Sequence, residues 1–315
     1  MRDTRSLISW EDFIEKEFDT PSFLITPYVP TDGIVFLWGE TSTGKSPLGW
    51  AMAAAVGSGQ PFMGLPVSEG KVLYLEVDTH QRLVHERLKA LPPVEGVDFL
   101  FLPPLSVPDV SPADDAMLQR AAANDYDMVV VNTLRKVHCF DDKDSKTPQI
   151  VYSYFQHLFP GATLVFVHHT KKVSFDSRGK EVTRDKESFS GANNWLNDAQ
   201  VGLLLQKYEN EREGVNLRLC HEKSQVSELV GYMGLWLDPK TGTHLYCPKS
   251  ARLTKIYLLL HESGLEGLAL DHAIMAMLSC GETTARNLRH MVEDGNFPGY
   301  RWLGVKGRDE DSITI

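Results

Sequence analysis

From Ile34 onward, short and almost wholly apolar runs alternate with longer stretches in which apolar positions recur at helical spacing. The runs are Ile34 to Trp38, Val72 to Val77, Met128 to Val131, Thr163 to Val167 and Val201 to Leu205. Runs of this length without polar alternation predict strands buried on both faces, and the helical segments between them predict a parallel sheet covered on both sides. Two later runs, Val215 to Cys220 and Gly234 to Leu237, are expected to close the sheet as a hairpin around a Lys-bearing turn. Asp238-Pro239-Lys240-Thr241-Gly242 then makes a reverse turn. Ahead of Ile34 lie one short amphipathic stretch, Trp10 to Phe18, and a Pro-rich approach. After Pro248 the pattern turns helical, at Leu253 to Glu262, Leu270 to Leu278 and Glu282 to Glu293, and ends in a candidate hairpin at Tyr300 to Val305 and Ser312 to Ile315. The expected division is a lead-in segment at 1–30, an α/β core at 31–248 and a small helical C-terminal domain of winged-helix type at 249–315.

Composition narrows the class. Cys139, Cys220, Cys247 and Cys280 are scattered, with no C-x-x-C pair and no His at zinc spacing, so neither a disulfide framework nor a metal centre is expected. No apolar run reaches the roughly 18 to 20 residues that span a bilayer, and the start, MRDTRSLISWEDF, lacks the apolar core of a signal peptide. A cytoplasmic protein without a membrane partner is expected. The formal net charge of −10 confines any nucleic-acid site to a local basic channel.

The candidate chemistry begins at Gly39-Glu40-Thr41-Ser42-Thr43-Gly44-Lys45-Ser46, which matches G-x-x-x-x-G-K-[ST] directly after an apolar strand and before the Ala-rich segment Leu48 to Val56. Backbone N–H groups of such a loop and of the first helical turn point at phosphate oxygens, and the helix dipole favours negative charge there. Gly39 and Gly44 permit the turn. Lys45 is expected to reach the β- and γ-phosphates of ATP, and the Ser46 hydroxyl to ligate Mg²⁺. Pro47 is tolerable early in a helix, where its missing N–H is not needed.

The order of landmarks resembles the RecA superfamily, and within it the RepA-like branch of hexameric replicative helicases of plasmid and phage type, which are AAA-type P-loop ATPases. The resemblance covers roughly residues 20–240. It rests on the P-loop, on Val72-Leu73-Tyr74-Leu75-Glu76-Val77-Asp78, on Met128-Val129-Val130-Val131-Asn132-Thr133-Leu134, and on Val165-Phe166-Val167-His168-His169-Thr170-Lys171. It implies a RecA-like fold, and it implies that His168 and His169 stand at the γ-phosphate as a sensor relaying nucleotide state to a DNA-facing loop. Three positions depart from the family pattern. The strand that ordinarily ends in an Asp of the Mg²⁺ shell ends here in Asn132, which is neutral and a weaker ligand. The carboxylate that orients water aligns with Asp78, one methylene shorter than the usual Glu, and Glu76 lies two residues earlier on the same strand face. The K-x-R turn that acts across the subunit interface reads Glu222-Lys223-Ser224-Gln225, so Lys223 is kept and the Arg is replaced by Gln225. Loss of such an arginine costs about 10³ to 10⁵ in turnover unless Lys223 or Arg218 compensates.

In a ring of this kind the loops after the Asn132 strand and the His-His strand face the central channel. The first offers Arg135 and Lys136 before turning acidic at Asp141, Asp142 and Asp144. The second, Thr170 to Ser190, carries Lys171, Lys172, Arg178, Lys180 and Arg184 among interspersed acids, with Phe175 and Phe189 available for base stacking. In the tail, Ser279 is expected to cap a helix whose Arg286, Arg289 and His290 share one face, with Lys306-Gly307-Arg308 as a wing. That tail fits DNA and a protein partner of replication or recombination equally. The expected activity is an ATP-driven motor on single-stranded DNA, a helicase or translocase assembled as a ring. The rivals are a nucleotide-switched recombination mediator or regulatory ATPase with weak hydrolysis, favoured by Asn132 and Gln225, and a small-molecule kinase, disfavoured by the His-His-Thr-Lys strand end.

Overall fold

The structure, a computed structural model, describes residues 8–16, 22–89, 91–141, 144, 146–169, 194–210, 215–240, 242–243, 245–247, 265–278 and 281–293. The strands are β1 (Phe23–Ile25), β2 (Val29–Pro30), β3 (Ile34–Gly39), β4 (Val72–Glu76), β5 (Val97–Phe101), β6 (Met128–Asn132), β7 (Thr163–His169), β8 (Val201–Asn210), β9 (Val215–Ser224), β10 (Tyr232–Leu237) and β11 (Leu245–Tyr246). The helices are α1 (Trp10–Glu15), α2 (Lys45–Ser58), α3 (Gln81–Leu88), α4 (Pro112–Ala122), α5 (Thr147–Leu158), α6 (Asn194–Asp198), α7 (Gly267–Leu278) and α8 (Glu282–Glu293).

The main sheet runs in the order β11-β10-β9-β8-β3-β7-β6-β4-β5. Its six strands from β8 to β5 are mutually parallel, and β9, β10 and β11 extend it antiparallel. The fold is therefore a mixed α/β one with a mostly parallel central sheet, as the apolar runs led us to expect. The period of two along β3 divides the core. Val35 and Leu37 face one apolar layer with Leu48, Met52 and Val56 of α2, while Phe36 and Trp38 face another with Phe155 of α5 and Trp195 of α6. With β3 central and paired to β7 and β8, the loop after it emerges at the middle of the sheet's C-terminal edge, where α/β proteins place ligands.

Several elements differ from the sequence pattern. β5 is an additional strand, pairing β4 at the sheet margin. Its side chains are half exposed and Asp98 interrupts its apolar run, so it lacks the signature of a doubly buried strand. Leu24, Ile25, Tyr28 and Val29 of the lead-in are buried in the α2-side layer, so the packed unit takes in chain ahead of Ile34. Lys223 lies within β9, not in a turn.

In the C-terminal region α7 and α8 are present, whereas Ser279, residues 253–262 and residues 300–315, including Lys306 and Arg308, lie outside the described residues. Arg289 donates from Nε to Asp271 Oδ1 at 2.8 Å, and Arg286 from Nη2 to Glu282 Oε1 at 2.7 Å. Both arginines expected to form a nucleic-acid face are thus engaged with acids of the helix pair itself. Among the described residues no helix is long and apolar enough to cross a membrane, and no cluster of three His, Cys, Asp or Glu side chains is placed to hold a metal.

Candidate nucleotide site

β3 ends at Gly39, α2 begins at Lys45, and the loop between them is wound so tightly that Ser42 and Gly44 both have positive φ, at 63° and 87°. Glycine is required at two points, at Gly39 for space and at Gly44 for its positive φ. A Cβ on Gly39 would lie 2.2 Å from the Leu205 carbonyl oxygen on the adjoining strand, and one on Gly44 would lie 2.7 Å from Leu237 Cδ2. Thr43 closes the loop by donating its hydroxyl to the Glu40 carbonyl at 2.9 Å. Thr41 and Ser42 are exposed at its tip. Pro47 is the third residue of α2, inside the first turn, where its absent N–H leaves no intrahelical bond unmade.

Lys45 is buried, and its ammonium donates to the carbonyls of Gly39, at 3.0 Å, and Glu40. Burial holds its pKa down at about 8, and the nearby Asp78 carboxylate opposes that shift. The cation therefore rests on the loop's own backbone, at the place where a phosphate chain would meet it.

The carboxylates divide by exposure. Glu76, the last residue of β4, is 1% exposed. It stands in register with Asn132, the last residue of the neighbouring β6. Its Oε1 accepts the backbone N–H of Asp78 at 3.0 Å and of Thr79 at 2.8 Å, and its Oε2 accepts Asn132 Nδ2 at 2.7 Å. Burial raises its pKa, with those hydrogen bonds pulling the other way. Asp78 is exposed, and its carboxylate lies 4.0 Å from the Lys136 ammonium. Asn132 Nδ2 also lies 3.3 Å from Ser46 Oγ, so Glu76, Asn132 and Ser46 form one connected chain. The edge of Asn132 turned toward Ser46 is its donor edge, and N–H groups do not coordinate a cation. In this arrangement Asn132, expected to serve the Mg²⁺ shell, turns donors and not its carbonyl toward Ser46 and Glu76.

The two histidines part company because successive strand residues point to opposite faces. His168 is buried with its ring 5.8 Å from that of Phe36, in the layer away from α2. His169 is the register partner of Gly39 on β3. Burial and the positive charge of Lys45 lower its pKa, with Asp78 opposing, so it is neutral at pH 7. Of the two histidines expected at the phosphate, His168 is thus turned to the layer away from the loop, and only His169 stands beside Gly39. Lys223 is turned within its own chain, where its ammonium donates to the carbonyls of Leu196 and Asn197 in α6. Arg135 and Lys136 are exposed on a 3₁₀ turn directly after β6. Lys171, Lys172, Arg178, Lys180 and Arg184 lie outside the described residues, as do Phe175 and Phe189.

The residues present fit a Mg²⁺-nucleotide. The loop holds its tight turn only with glycine at 39 and 44, and His169 Nδ1 beside it is buried without a hydrogen-bond partner among the described residues. Ser46 Oγ, having accepted one bond from Asn132, keeps a second lone pair. The fold and loop define a P-loop nucleotide-binding protein. The chain belongs to the AAA domain family, whose profile matches residues 2–174, a span that contains the loop, Glu76, Asn132 and both histidines. Among solved structures it resembles a KaiC-like protein of the hyperthermophilic archaeon Pyrococcus horikoshii OT3, at 10% identity and a TM-score of 0.48, over 72% of this chain and 95% of that one. It also resembles the ATPase domain of a second protein, at 11% identity and a TM-score of 0.47, over 67% of this chain and 83% of that one. No curated protein matches the chain in sequence.

The sequence missed two features of this site, namely the bond from Asn132 to Glu76 and the engagement of Lys223 by α6. Each joins positions far apart in the chain, and only strand register or packing brings them together.

Proposed function

We propose that the chain binds Mg-ATP at Gly39–Ser46 and hydrolyses it, as a ring-forming motor on single-stranded DNA of the RepA-like kind. The observation that carries hydrolysis is the Glu76 carboxylate, buried at the strand end and joined to Ser46 through Asn132. Bound Mg-ATP supplies the electrophilic γ-phosphoryl group and a metal that neutralises its oxygens. Lys45 exchanges the carbonyls of Gly39 and Glu40 for phosphate oxygens. Ser46 offers its hydroxyl to the metal, and Glu76 orients the attacking water from a site where water is otherwise excluded. His169, neutral and next to the loop strand, reports whether the terminal phosphate is present.

The single-stranded DNA partner, the ring and a C-terminal domain at 249–315 follow from the sequence, with the core taken back to the buried Leu24, Ile25, Tyr28 and Val29. Arg135 and Lys136, exposed just beyond Asn132, support it, together with the basic residues Lys171, Lys172, Arg178, Lys180 and Arg184 of the segment after β7. Steady-state ATP hydrolysis with and without single-stranded DNA tests the proposal, alongside solution mass with a non-hydrolysable ATP analogue. A motor gives DNA-stimulated turnover in a ring-sized assembly. A second reading, a nucleotide-gated switch, is favoured by the engagement of Lys223 within its own chain. To act across a subunit boundary, Lys223 must first release α6. Tight ATP binding with slow turnover indifferent to DNA would establish the switch.

A further inference from the structure

Glu76 and Asn132 end adjacent parallel strands in direct register, and the bonds between them fix which edge of the amide faces the site. Asn132 Nδ2 lies 2.7 Å from Glu76 Oε2 and 3.3 Å from Ser46 Oγ. Turning the amide over would set its oxygen against a carboxylate oxygen, two acceptors at hydrogen-bond distance in a buried place, so chemistry dictates the orientation. A primary amide has two N–H bonds, and these two contacts use both. The remaining oxygen of Glu76 is held by the N–H groups of Asp78 and Thr79. The carboxylate is therefore gripped at both oxygens, by the backbone after β4 on one side and by Asn132 on the other.

We infer that Asn132 is a positioning residue that aims Glu76 and Ser46, and that the negative charge at the metal pole of the site is carried by Glu76 on the neighbouring strand. The inference rests on the reading that Gly39–Ser46 binds Mg-ATP. An amide suits this place because it donates to both of its neighbours. A second carboxylate there would face Glu76 at hydrogen-bond distance, where like charges repel in a buried setting. Asn132 acts on the metal only through the groups it orients.

The test is equilibrium binding of a fluorescent, non-hydrolysable ATP analogue by the full chain, titrated with Mg²⁺ and again in EDTA. It compares the wild type with Glu76→Gln, Asn132→Leu, the double variant and Asn132→Asp. Each of the two neutral single variants is expected to lose on the order of tenfold of the Mg²⁺-dependent tightening, the scale of a charge-assisted hydrogen bond, while affinity in EDTA is unchanged. The double variant is expected to lose no more than Glu76→Gln alone, because Asn132 works through Glu76. Asn132→Asp is expected to weaken the tightening as well. Losses that add in the double variant, or a stronger Mg²⁺ effect in Asn132→Asp, overturn the inference, since either means that position 132 meets the metal itself. Thermal unfolding of the nucleotide-free variants provides a second arm, in which the shifts of Glu76→Gln and Asn132→Leu are expected to be non-additive; additive shifts overturn the pairing. A wild type that binds no nucleotide yet shows this coupling in unfolding would sink the nucleotide reading and leave the positioning of Glu76 by Asn132 standing.

Discussion

Lys223 donates from its ammonium to the Asn197 carbonyl oxygen at 2.6 Å, and from the same nitrogen to the Leu196 carbonyl at 2.8 Å. Both carbonyls belong to the last turn of α6, where a helix carries partial negative charge and has acceptors to spare. Burial lowers the pKa of Lys223 and the neighbouring Asp198 opposes the shift. Lys223→Ala is expected to destabilise the chain by about 1 kcal/mol, read as a lowered midpoint in thermal unfolding. In mixtures of wild type and variant, turnover should then stay near the wild-type value. A fall with the variant fraction would show that Lys223 reaches a neighbour's nucleotide.

The two candidate carboxylates can be ranked. Glu76 is buried and anchored at both oxygens, whereas Asp78 is exposed beside Lys136. Glu76→Gln keeps the shape and removes the charge, and is expected to cut steady-state ATP turnover by about 10² to 10³. Asp78→Asn is expected to cost less than about tenfold, since an exposed charge is screened by water. The reverse order in the same assay would hand the role to Asp78.

Acid should destabilise the fold through its buried histidines. His138 packs its ring 5.3 Å from that of Trp195, and burial, helped by Arg135, lowers its pKa to about 4. Between its ordinary pKa of 6.5 and about 4, the unfolded chain takes up a proton that the folded chain refuses. Stability from this group is therefore full above 6.5 and is lost as pH falls toward 4. His221, whose pKa burial also lowers, acts in the same direction. Urea unfolding at about pH 7.5 and about pH 5 should show a clear loss at the lower value, and His138→Phe should shrink it. Equal wild-type stability at both pH values would contradict this account.

In the C-terminal helix pair, Asp271 is 1% exposed and its partner Arg289 is largely buried. Arg289→Ala would strand a buried carboxylate, at a cost of about 3 kcal/mol to the pairing of α7 with α8. Hydrogen exchange in the full chain should show residues 267–293 opening far more often. Arg286→Ala, which breaks only an exposed i,i+4 pair with Glu282, should change exchange there by less than about 0.5 kcal/mol.

The sequence by itself determined the doubly buried strands, because a run such as Met128 to Val131 has no polar side to show to water. It also determined the phosphate loop, because close backbone approach at Gly39 and Gly44 and a charge at Lys45 must be written in consecutive residues. β5 escaped it, since a strand at the sheet margin is only half covered and carries no strict pattern. Tertiary structure alone decided the rest. Consecutive histidines are equivalent in a motif, but strand alternation turns His168 onto Phe36 and leaves His169 in register with Gly39. Along the chain Asn132 reads as a departure from the family pattern and Glu76 as a separate stand-in for Asp78. Strand register makes them one hydrogen-bonded pair, because which residues stand opposite each other depends on how strands distant in sequence align. Lys223 reads as a free cation until packing sets the end of α6 against it, a contact between segments that no local pattern encodes.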